Sequence, residues 1–252
     1  MSSLLKKLAL SLACFSFIGS TFAGGNPTDA ANLDSTFLKP YHTVFDVNFD
    51  FFIPVQGTAI RELKRQENGQ WLLSHTVKSS LLGLKETSLF DWQQSQPKPK
   101  VYQLKQSSVG KKKSELLEFD WTKLQVHHQT SKPAGILDIP AGTFDKLTYQ
   151  LKLRQDLLNG QEPGIYSVAE KRKLKEYGFI LLGSELLDTP VGKLETVKIK
   201  RDRGPKSKRE TFLWLAKDWD FLLVKIEQRE KGKNYEVVMC EGELDGKAIK
   251  GV

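Results

Sequence analysis

The run of alternating apolar and polar residues between Leu186 and Leu244 constrains the fold more than any other feature of this chain. Within residues 192–200, Leu194, Val197 and Ile199 recur at a spacing that places them on one face of a β-strand with at most one register irregularity. Three segments then repeat this design across short polar turns: 211–215, 221–228 and 235–244. Strands joined by short turns pair with their sequence neighbours, so this region is predicted to be an antiparallel meander of four strands.

The chain before this meander follows the same pattern. Alternation predicts a first strand over residues 41–50, and Asn68-Gly69 supplies the positive φ angles that a tight hairpin between residues 55–65 and 70–79 needs. Residues 97–100, which contain two prolines, interrupt the pattern. Further strands are predicted over 81–92, 101–106, 115–120, 123–129, 164–170 and 173–187.

One segment has the periodicity of a helix. Thr143 or Asp145 is placed to act as its N-cap, and Asn159-Gly160 is an ordinary stop signal. The residues that recur at helical spacing are Leu147, Leu151, Arg154 and Leu158. The sequence therefore predicts one helix over about residues 144–158, which plugs the open end of a curved sheet or covers one face of it.

The first 23 residues have the pattern of a signal peptide. Two lysines precede the apolar run 8–18, and Ala23 is the small residue that signal peptidase requires at its cleavage site. The run is shorter than the roughly 20 residues that span a bilayer, which disfavours a membrane anchor. Lipid attachment at Cys14 is also disfavoured, because the residues before it match a lipobox poorly. We expect cleavage after Ala23, a flexible leader over residues 24–39 and a periplasmic protein.

The mature chain is predicted to be one domain. About a dozen strands and one helix indicate a mainly β fold over residues 40–252, a single strongly curved antiparallel sheet or a β-barrel. A boundary near Lys132-Pro133 is the alternative. The net charge of +8 falls by two when the lysines of the signal peptide are removed. Cys240 is then the one cysteine, so the core has to be stable without an internal disulfide.

The order and spacing of several short motifs resemble a family of exported bacterial proteins, the domain of unknown function DUF3108. The motifs that carry the resemblance are Tyr41, Gly57, Phe119-Asp120-Trp121, Asp145, Tyr177, Thr189-Pro190-Val191-Gly192, Trp214-Leu215-Ala216 and Val224-Lys225-Ile226-Glu227. The resemblance covers nearly all of the mature chain and implies an atypical, β-barrel-like fold in the periplasm. It implies no catalytic residues. The chain departs from the family at Thr148, where a serine is expected, so any role of that hydroxyl has to tolerate a methyl group.

Motifs for catalysis or for cofactor binding are absent from the sequence. The four histidines, His42, His75, His127 and His128, include no pair at helical i, i+4 spacing, and neighbours on a strand point to opposite faces. Neither the Gly-x-Ser-x-Gly elbow of many hydrolases nor a phosphate-binding glycine loop occurs. The sequence predicts no metal and no cofactor and assigns no catalytic residue. A catalytic triad of dispersed residues stays open, because its members need no sequence proximity.

Two groups of residues are candidates for ligand binding. Tryptophan follows aspartate at Trp92, Trp121 and Trp219. Each ring either stacks on a sugar or lipid, or closes the rim of a barrel with its indole N–H bonded to a backbone carbonyl, which is the favoured interpretation. The second group is a basic patch for anions or a membrane surface, which the alternative interpretation treats as a solvated loop: Arg201, Arg203, Lys206, Lys208 and Arg209. Lys111–Lys113 and Lys171–Lys173 are further contributors.

Three hypotheses about function follow. The favoured one is a non-enzymatic periplasmic protein that shields an apolar or anionic envelope ligand, such as an acyl chain or a lipoprotein anchor, with peripheral membrane contact. The second is a hydrolase of envelope esters or polysaccharide. The third is a scaffold in an envelope complex, which predicts an exposed apolar patch. Nucleic acid is disfavoured as a partner because the periplasm contains little of it.

Overall fold

The computed structural model of the protein describes residues 38–49, 55–108, 110–130 and 134–252. The predicted signal peptide, most of the predicted leader and the alternative boundary at Lys132-Pro133 lie outside these residues. Leu38, the first described residue, is already buried, and Nζ of Lys39 lies 2.8 Å from Asp220 Oδ2. No helix in the described part of the chain is long and apolar enough to cross a membrane.

The described residues form fifteen strands and one α-helix, with a single turn of 3₁₀-helix at Lys217–Trp219. The strands are β1 (Tyr41–Phe49), β2 (Val55–Arg65), β3 (Trp71–Ser79), β4 (Leu82–Gln93), β5 (Gln96–Ser108), β6 (Lys111–Asp120), β7 (Gln125–Thr130), β8 (Gly135–Asp138), β9 (Ile165–Glu170), β10 (Lys173–Thr189), β11 (Gly192–Asp202), β12 (Arg209–Ala216), β13 (Leu222–Glu230), β14 (Lys233–Leu244) and β15 (Lys247–Ala248). The helix, α1, spans Tyr149–Leu158 and lies between β8 and β9.

All described strands belong to one antiparallel sheet, in the order β8-β7-β6-β5-β4-β3-β2-β1-β14-β13-β12-β11-β10-β9, with β15 beside β14. Two meanders, β1–β8 and β9–β14, therefore meet where β1 pairs with β14, with Tyr41 opposite Leu244. The sheet does not close into a barrel, because β8 and β9 are its two edges. The prediction of one antiparallel sheet with a meander at its C-terminal side is confirmed.

Contacts between the two halves show how strongly the sheet curves. The backbone N–H of Lys171, in the turn between β9 and β10, donates to the Glu115 carboxylate of β6 at 2.7 Å. Phe144 forms a parallel bridge with Val168 of β9, and its N–H donates to the Ser167 carbonyl at 2.8 Å. The sheet thus brings its distant strands back towards each other.

The helix begins five residues later than predicted, at Tyr149 instead of Phe144. Asp145 Oδ1 accepts the backbone N–H groups of Leu147 and Thr148 at 2.7 and 2.9 Å, while the hydroxyl of Thr148 accepts the N–H of Asp145 at 3.0 Å. This reciprocal pair is a capping box, so Asp145 caps the turn that leads into the helix. The prediction of the N-terminal boundary was wrong because residues 144–148 are used for the bridge to β9 and for this turn.

A substitution at Thr148 tests the capping box. Thr148→Val keeps the side-chain volume and leaves the buried N–H of Asp145 without its acceptor, so we expect the free energy of unfolding to fall by about 1–3 kcal/mol. Thr148→Ser keeps the hydroxyl and removes a methyl group, which measures the packing contribution alone. Urea unfolding of both variants checks this prediction. A Thr148→Val protein as stable as the parent would show that the hydroxyl has no such role.

Residues 97–100 were predicted to interrupt the strand pattern, and this prediction was wrong. Strand β5 runs through them, with Pro97 opposite Trp92 and Pro99 opposite Phe90 on β4. Pairing of β5 with β6 begins only at Val101. The prolines therefore lie where β5 has one neighbour in the described sheet, and a missing N–H is tolerated on the free side of such a strand.

Candidate functional site

Charged side chains are distributed unevenly between the two ends of the sheet. We call the end with the β3–β4, β5–β6, β9–β10, β11–β12 and β13–β14 turns the basic end. Its described turn residues include no acid, and the cations among them are Lys171, Arg172, Arg203, Lys206, Lys208 and Lys231. Turns at the opposite end are mixed, with Glu67, Asp218, Asp220 and Asp245 beside Lys123 and Lys217. The described turns of the basic end therefore have an excess of positive charge that those of the opposite end lack.

A cavity opens at the basic end between strands β3, β4, β5 and β6. Its volume of about 660 Å³ lies within the range of about 300–1,000 Å³ that is typical of small-molecule sites. Val77, Leu84, Gln106 and Lys113 line it and lie opposite one another across the four strands. Opposed residues share one face of a sheet, so these four side chains lie on the face that carries the core.

Lysine dominates the charge around this cavity. The residues that line it include five lysines, Lys78, Lys85, Lys105, Lys112 and Lys113, and no aspartate or glutamate of the described residues. Lys113 shares the inner face with Val77 and Leu84, whereas the other four lysines alternate to the outer face of the same strands and are exposed. Val77 and Leu84 supply apolar surface within the same site. The combination suits a ligand with an apolar body and an anionic group.

Lys113 connects the cavity to a buried polar network. Its Nζ lies 3.9 Å from Glu115 Oε2, and the side chain of Glu115 is almost fully buried. Burial lowers the pKa of Lys113, and the charges of Lys171 and Lys146 add to this effect against the opposing carboxylate of Glu115. An anion bound beside Lys113 would reduce this repulsion between cations.

Glu86 and Lys146 form the centre of the network. Lys146 Nζ lies 2.6 Å from Glu86 Oε1, which also accepts the hydroxyl of Tyr102 at 2.5 Å, and His75 Nδ1 lies 3.5 Å from Glu86 Oε2. Burial alone would raise the pKa of Glu86, but Lys146 and His75 reverse this and hold it far below its ordinary value. Burial would lower the pKa of Lys146, whereas Glu86 raises it above its ordinary value. Both groups are therefore charged near neutral pH.

A second buried group lies at the start of β10. The hydroxyl of Tyr177 donates to Glu170 Oε2 at 3.0 Å, and Lys175 Nζ donates to the same oxygen at 3.0 Å. The guanidinium of Arg201 lies over the ring of Tyr177, with its Cζ 3.4 Å from the ring centroid. Burial raises the pKa of the Tyr177 hydroxyl, and Glu170 raises it further. The described interior therefore contains paired charges as well as apolar residues.

The helix fills the space between the two halves of the sheet. Tyr149, Leu151, Leu153, Arg154, Gln155, Asp156 and Leu157 are buried. A cavity between α1 and strands β1, β2, β12 and β13 has a volume of about 20 Å³, which is space for about one water molecule. Of these two cavities, only the one at the basic end has room for a ligand larger than a water molecule.

The predicted basic patch divides between the interior and the surface. Arg201 is buried over the rings of Tyr177 and Phe179, and burial together with neighbouring arginines lowers the pKa of Arg203 to about 10. Nε and Nη2 of Arg209 donate to Glu230 Oε2 at 2.9 and 2.7 Å. Lys206 and Lys208 are exposed at the β11–β12 turn. Ligand binding by these residues stays a prediction.

The three predicted tryptophans are half-buried and pack against the core. Trp121 stacks on Phe119 with ring centroids 5.7 Å apart, and its indole N–H donates to the carbonyl of Pro99 at 2.6 Å. This is the structural role considered for an indole at the rim of a barrel. Trp92 and Trp121 lie at the end of the sheet opposite to the cavity. A ligand-binding role of Trp92, Trp121 and Trp219 stays a prediction.

The described histidines do not converge on one point. Nitrogen–oxygen distances of 3.4, 3.5 and 3.9 Å join His42, His75 and His128 to three different carboxylates, those of Glu62, Glu86 and Glu115. Burial lowers the pKa of His128 despite the nearby Glu115, and neither of its ring nitrogens has a hydrogen-bond partner among the described residues. In the same part of the chain, no group of three or more His, Cys, Asp or Glu residues is arranged to hold a metal ion.

The sequence analysis missed the cavity. Its lining comes from four strands, and the alternating pattern gives no sign that the interior positions at one end are left unfilled. A signal for the charge was present: lysine occurs at two of the four strand ends that meet there, at Lys78 of β3 and Lys111–Lys113 of β6. The meander topology is what brings these ends together.

These features define a β-barrel-like class of protein: an open, strongly curved antiparallel sheet that surrounds one helix and has a basic cavity at one end. The family model described as protein of unknown function (DUF3108) matches residues 44–237. The chain therefore belongs to the DUF3108 family, which confirms the resemblance seen in the sequence. No curated protein matches the chain.

Among solved structures, a β-barrel-like protein of the domain of unknown function DUF1849 from Brucella abortus is 10% identical over 82% of this chain and 98% of that chain, with a TM-score of 0.57. A putative outer membrane lipoprotein-sorting protein domain from Vibrio parahaemolyticus is 13% identical over 84% and 87%, with a TM-score of 0.24. A DUF1329 family protein from Desulfovibrio piger is 10% identical over 84% and 87%, with a TM-score of 0.23. The TM-score of the first structure shows a shared fold, whereas the TM-scores of the other two are too low to show one.

Proposed function

We propose that this protein is a non-enzymatic periplasmic binding protein that holds an amphipathic, anionic envelope ligand in the cavity at the basic end. The ligand class is an acyl chain with an acidic head group, as in an anionic phospholipid or a lipoprotein anchor. One observation carries the proposal: a cavity of about 660 Å³ has Val77, Leu84 and Lys113 on its inner face, four more lysines on the outer face of the same strands, and no acid among the described residues that line it.

The electrostatics of the interior support binding over catalysis. A general acid or base works best with a pKa near the operating pH. The pKa of Glu86 is far below that range, and the pKa of Tyr102 is raised well above its ordinary value by burial and by Glu86. Ser88 is fully buried and its hydroxyl bonds Asp145, so it is not placed to attack a substrate.

Export to the periplasm is supported by the N-terminal sequence. Residues 1–23 combine a basic start, an apolar run and a small residue at the cleavage position. The envelope supplies ligands of the proposed chemistry, and a carrier there has to shield the acyl chain from water.

Occupancy is tested with protein purified from its own host. Native mass spectrometry is expected to show a bound lipid, which dissociates on activation to leave the mass of the mature chain. In calorimetric titrations of delipidated protein, palmitoyl-lysophosphatidylglycerol should bind more tightly than palmitoyl-lysophosphatidylcholine, because only the former has a net negative charge.

A substitution in the cavity localises the ligand. Leu84→Trp fills part of the site and should weaken binding of the lysophosphatidylglycerol at least about tenfold, equivalent to about 1.4 kcal/mol. The matched control is Leu116→Trp, because Leu116 lies on β6 outside the cavity lining and alternates with the inward-facing Glu115 and Leu117. Protein without lipid from the host, or equal binding by both variants, would contradict the proposal.

A further inference from the structure

We propose that the basic end of the sheet docks on the surface of an anionic phospholipid bilayer, so that the cavity mouth faces the membrane. This proposal concerns the outer turns and does not depend on the cavity being occupied. It starts from the charge of the described turns: six cations and no acid at the basic end, against four acids and two lysines at the opposite end.

The meander topology makes this asymmetry one continuous surface. Every second turn of a sheet of hairpins lies at the same end, so turns that are far apart in sequence become neighbours in space. Lys171 and Arg172 belong to the β9–β10 turn, Lys206 and Lys208 to the β11–β12 turn, and Lys231 to the β13–β14 turn. A bilayer of anionic lipid attracts each such side chain, and the attractions add over the surface.

Exposed leucines at the same end favour a bilayer over other polyanions. Leu81 in the β3–β4 turn is 41% exposed, and Leu174, next to the β9–β10 turn, is 37% exposed. Cationic and aliphatic side chains together match the layer where lipid head groups meet acyl chains.

The decisive experiment compares two charge-reversal variants in vesicle sedimentation. The test variant is Lys206→Glu/Lys208→Glu/Lys231→Glu, three exposed turn residues at the basic end. The control is Lys123→Glu/Lys217→Glu/Lys247→Glu, which makes the same change in net charge at the opposite end. With vesicles of phosphatidylglycerol and phosphatidylethanolamine, the test variant should lose at least about tenfold in its partition coefficient, and the control should keep most of its binding.

Further arms separate the contributions. Leu81→Ser should weaken vesicle binding more than Leu124→Ser, because Leu124 is 42% exposed in a turn at the opposite end. Leu84→Trp should keep vesicle binding even where it abolishes ligand binding, which separates this proposal from that of the cavity. Equal loss in the two triple variants, or equal binding to phosphatidylcholine vesicles, would overturn membrane docking. Binding to heparin without binding to phosphatidylglycerol vesicles would also overturn it and assign the surface to soluble polyanions.

Discussion

Replacing Lys146 by methionine is expected to lower the free energy of unfolding by about 3–5 kcal/mol, because it leaves the buried carboxylate of Glu86 without its cation. Lys146 Nζ is 2.6 Å from Glu86 Oε1, and both side chains are nearly inaccessible to water. The hydroxyl of Tyr102 and the ring of His75 remain near Glu86, but neither carries a permanent positive charge. Guanidinium unfolding followed by circular dichroism measures the change.

The double variant Glu86→Gln/Lys146→Met is the control for this prediction. It removes both charges and leaves an amide oxygen that accepts the hydroxyl of Tyr102. We expect it to be more stable than Lys146→Met alone, because the uncompensated carboxylate is gone. If the loss of unfolding free energy in the double variant equalled the sum of the losses in Glu86→Gln and Lys146→Met, the two residues would have no interaction energy, which would contradict this prediction.

The same pair determines how stability depends on pH. The pKa of Glu86 in the folded protein lies below its ordinary value of 4.5, so its stabilising contribution is complete above that pH and is lost as the pH falls. The pKa of Lys146 lies above its ordinary value of 10.5, so its contribution is complete below that pH and is lost as the pH rises further. In the Lys146→Met variant, the free energy of unfolding should fall less steeply as the pH is lowered below 4.5. The reason is that the lowered pKa of Glu86 depends largely on Lys146.

The second large effect is expected at Asp145. Asp145→Ala removes the acceptor of two backbone N–H groups, those of Leu147 and Thr148, and the partner of the Ser88 hydroxyl. A lost cap and an unpaired buried hydroxyl together should lower the free energy of unfolding by about 2–4 kcal/mol. Thermal and urea unfolding would measure the loss, and weaker protection of α1 amides in hydrogen exchange would locate it.

Asp145→Asn distinguishes the hydrogen bonds from the charge. Burial raises the pKa of Asp145 against the opposing effect of its hydrogen bonds, so a neutral amide of the same shape is a close replacement. We expect Asp145→Asn to retain most of the stability that Asp145→Ala loses. An asparagine variant as unstable as the alanine variant would show that the negative charge itself is needed.

The strands were predictable because their signal is local. Alternation in β11 placed Leu194, Val197 and Ile199 inward, and all three are buried. The Asn68-Gly69 pair marked the β2–β3 turn, where Gly69 has a φ of +81°. Gly57 illustrates what a local pattern does not contain: a Cβ there would lie 2.6 Å from the carbonyl oxygen of Lys78 on the paired strand. That requirement is visible only once the two strands are side by side.

The candidate site was less predictable because it depends on distant pairings. Arg201 was assigned to a surface patch on the basis of its cationic neighbours, yet alternation along β11 turns it inward onto Tyr177 of β10. Cys240 lies in the predicted apolar strand 235–244, and it is half-buried with its Sγ 3.5 Å from the carbonyl oxygen of Val44. In both cases the sequence identifies a strand correctly, but the neighbouring strand decides the environment of the side chain.

The pairing of β1 with β14 has a consequence for how the protein is made. The first strand pairs with β2 early, but it finds its second partner only after almost the whole polypeptide has been synthesised, because Tyr41 pairs with Leu244. Each meander forms from neighbouring hairpins, but the seam between the meanders is a contact between distant parts of the chain, and such contacts form slowly. Newly synthesised chains therefore pass through a stage in which β1 and β14 are edges of separate meanders that chaperones or proteases are able to recognise.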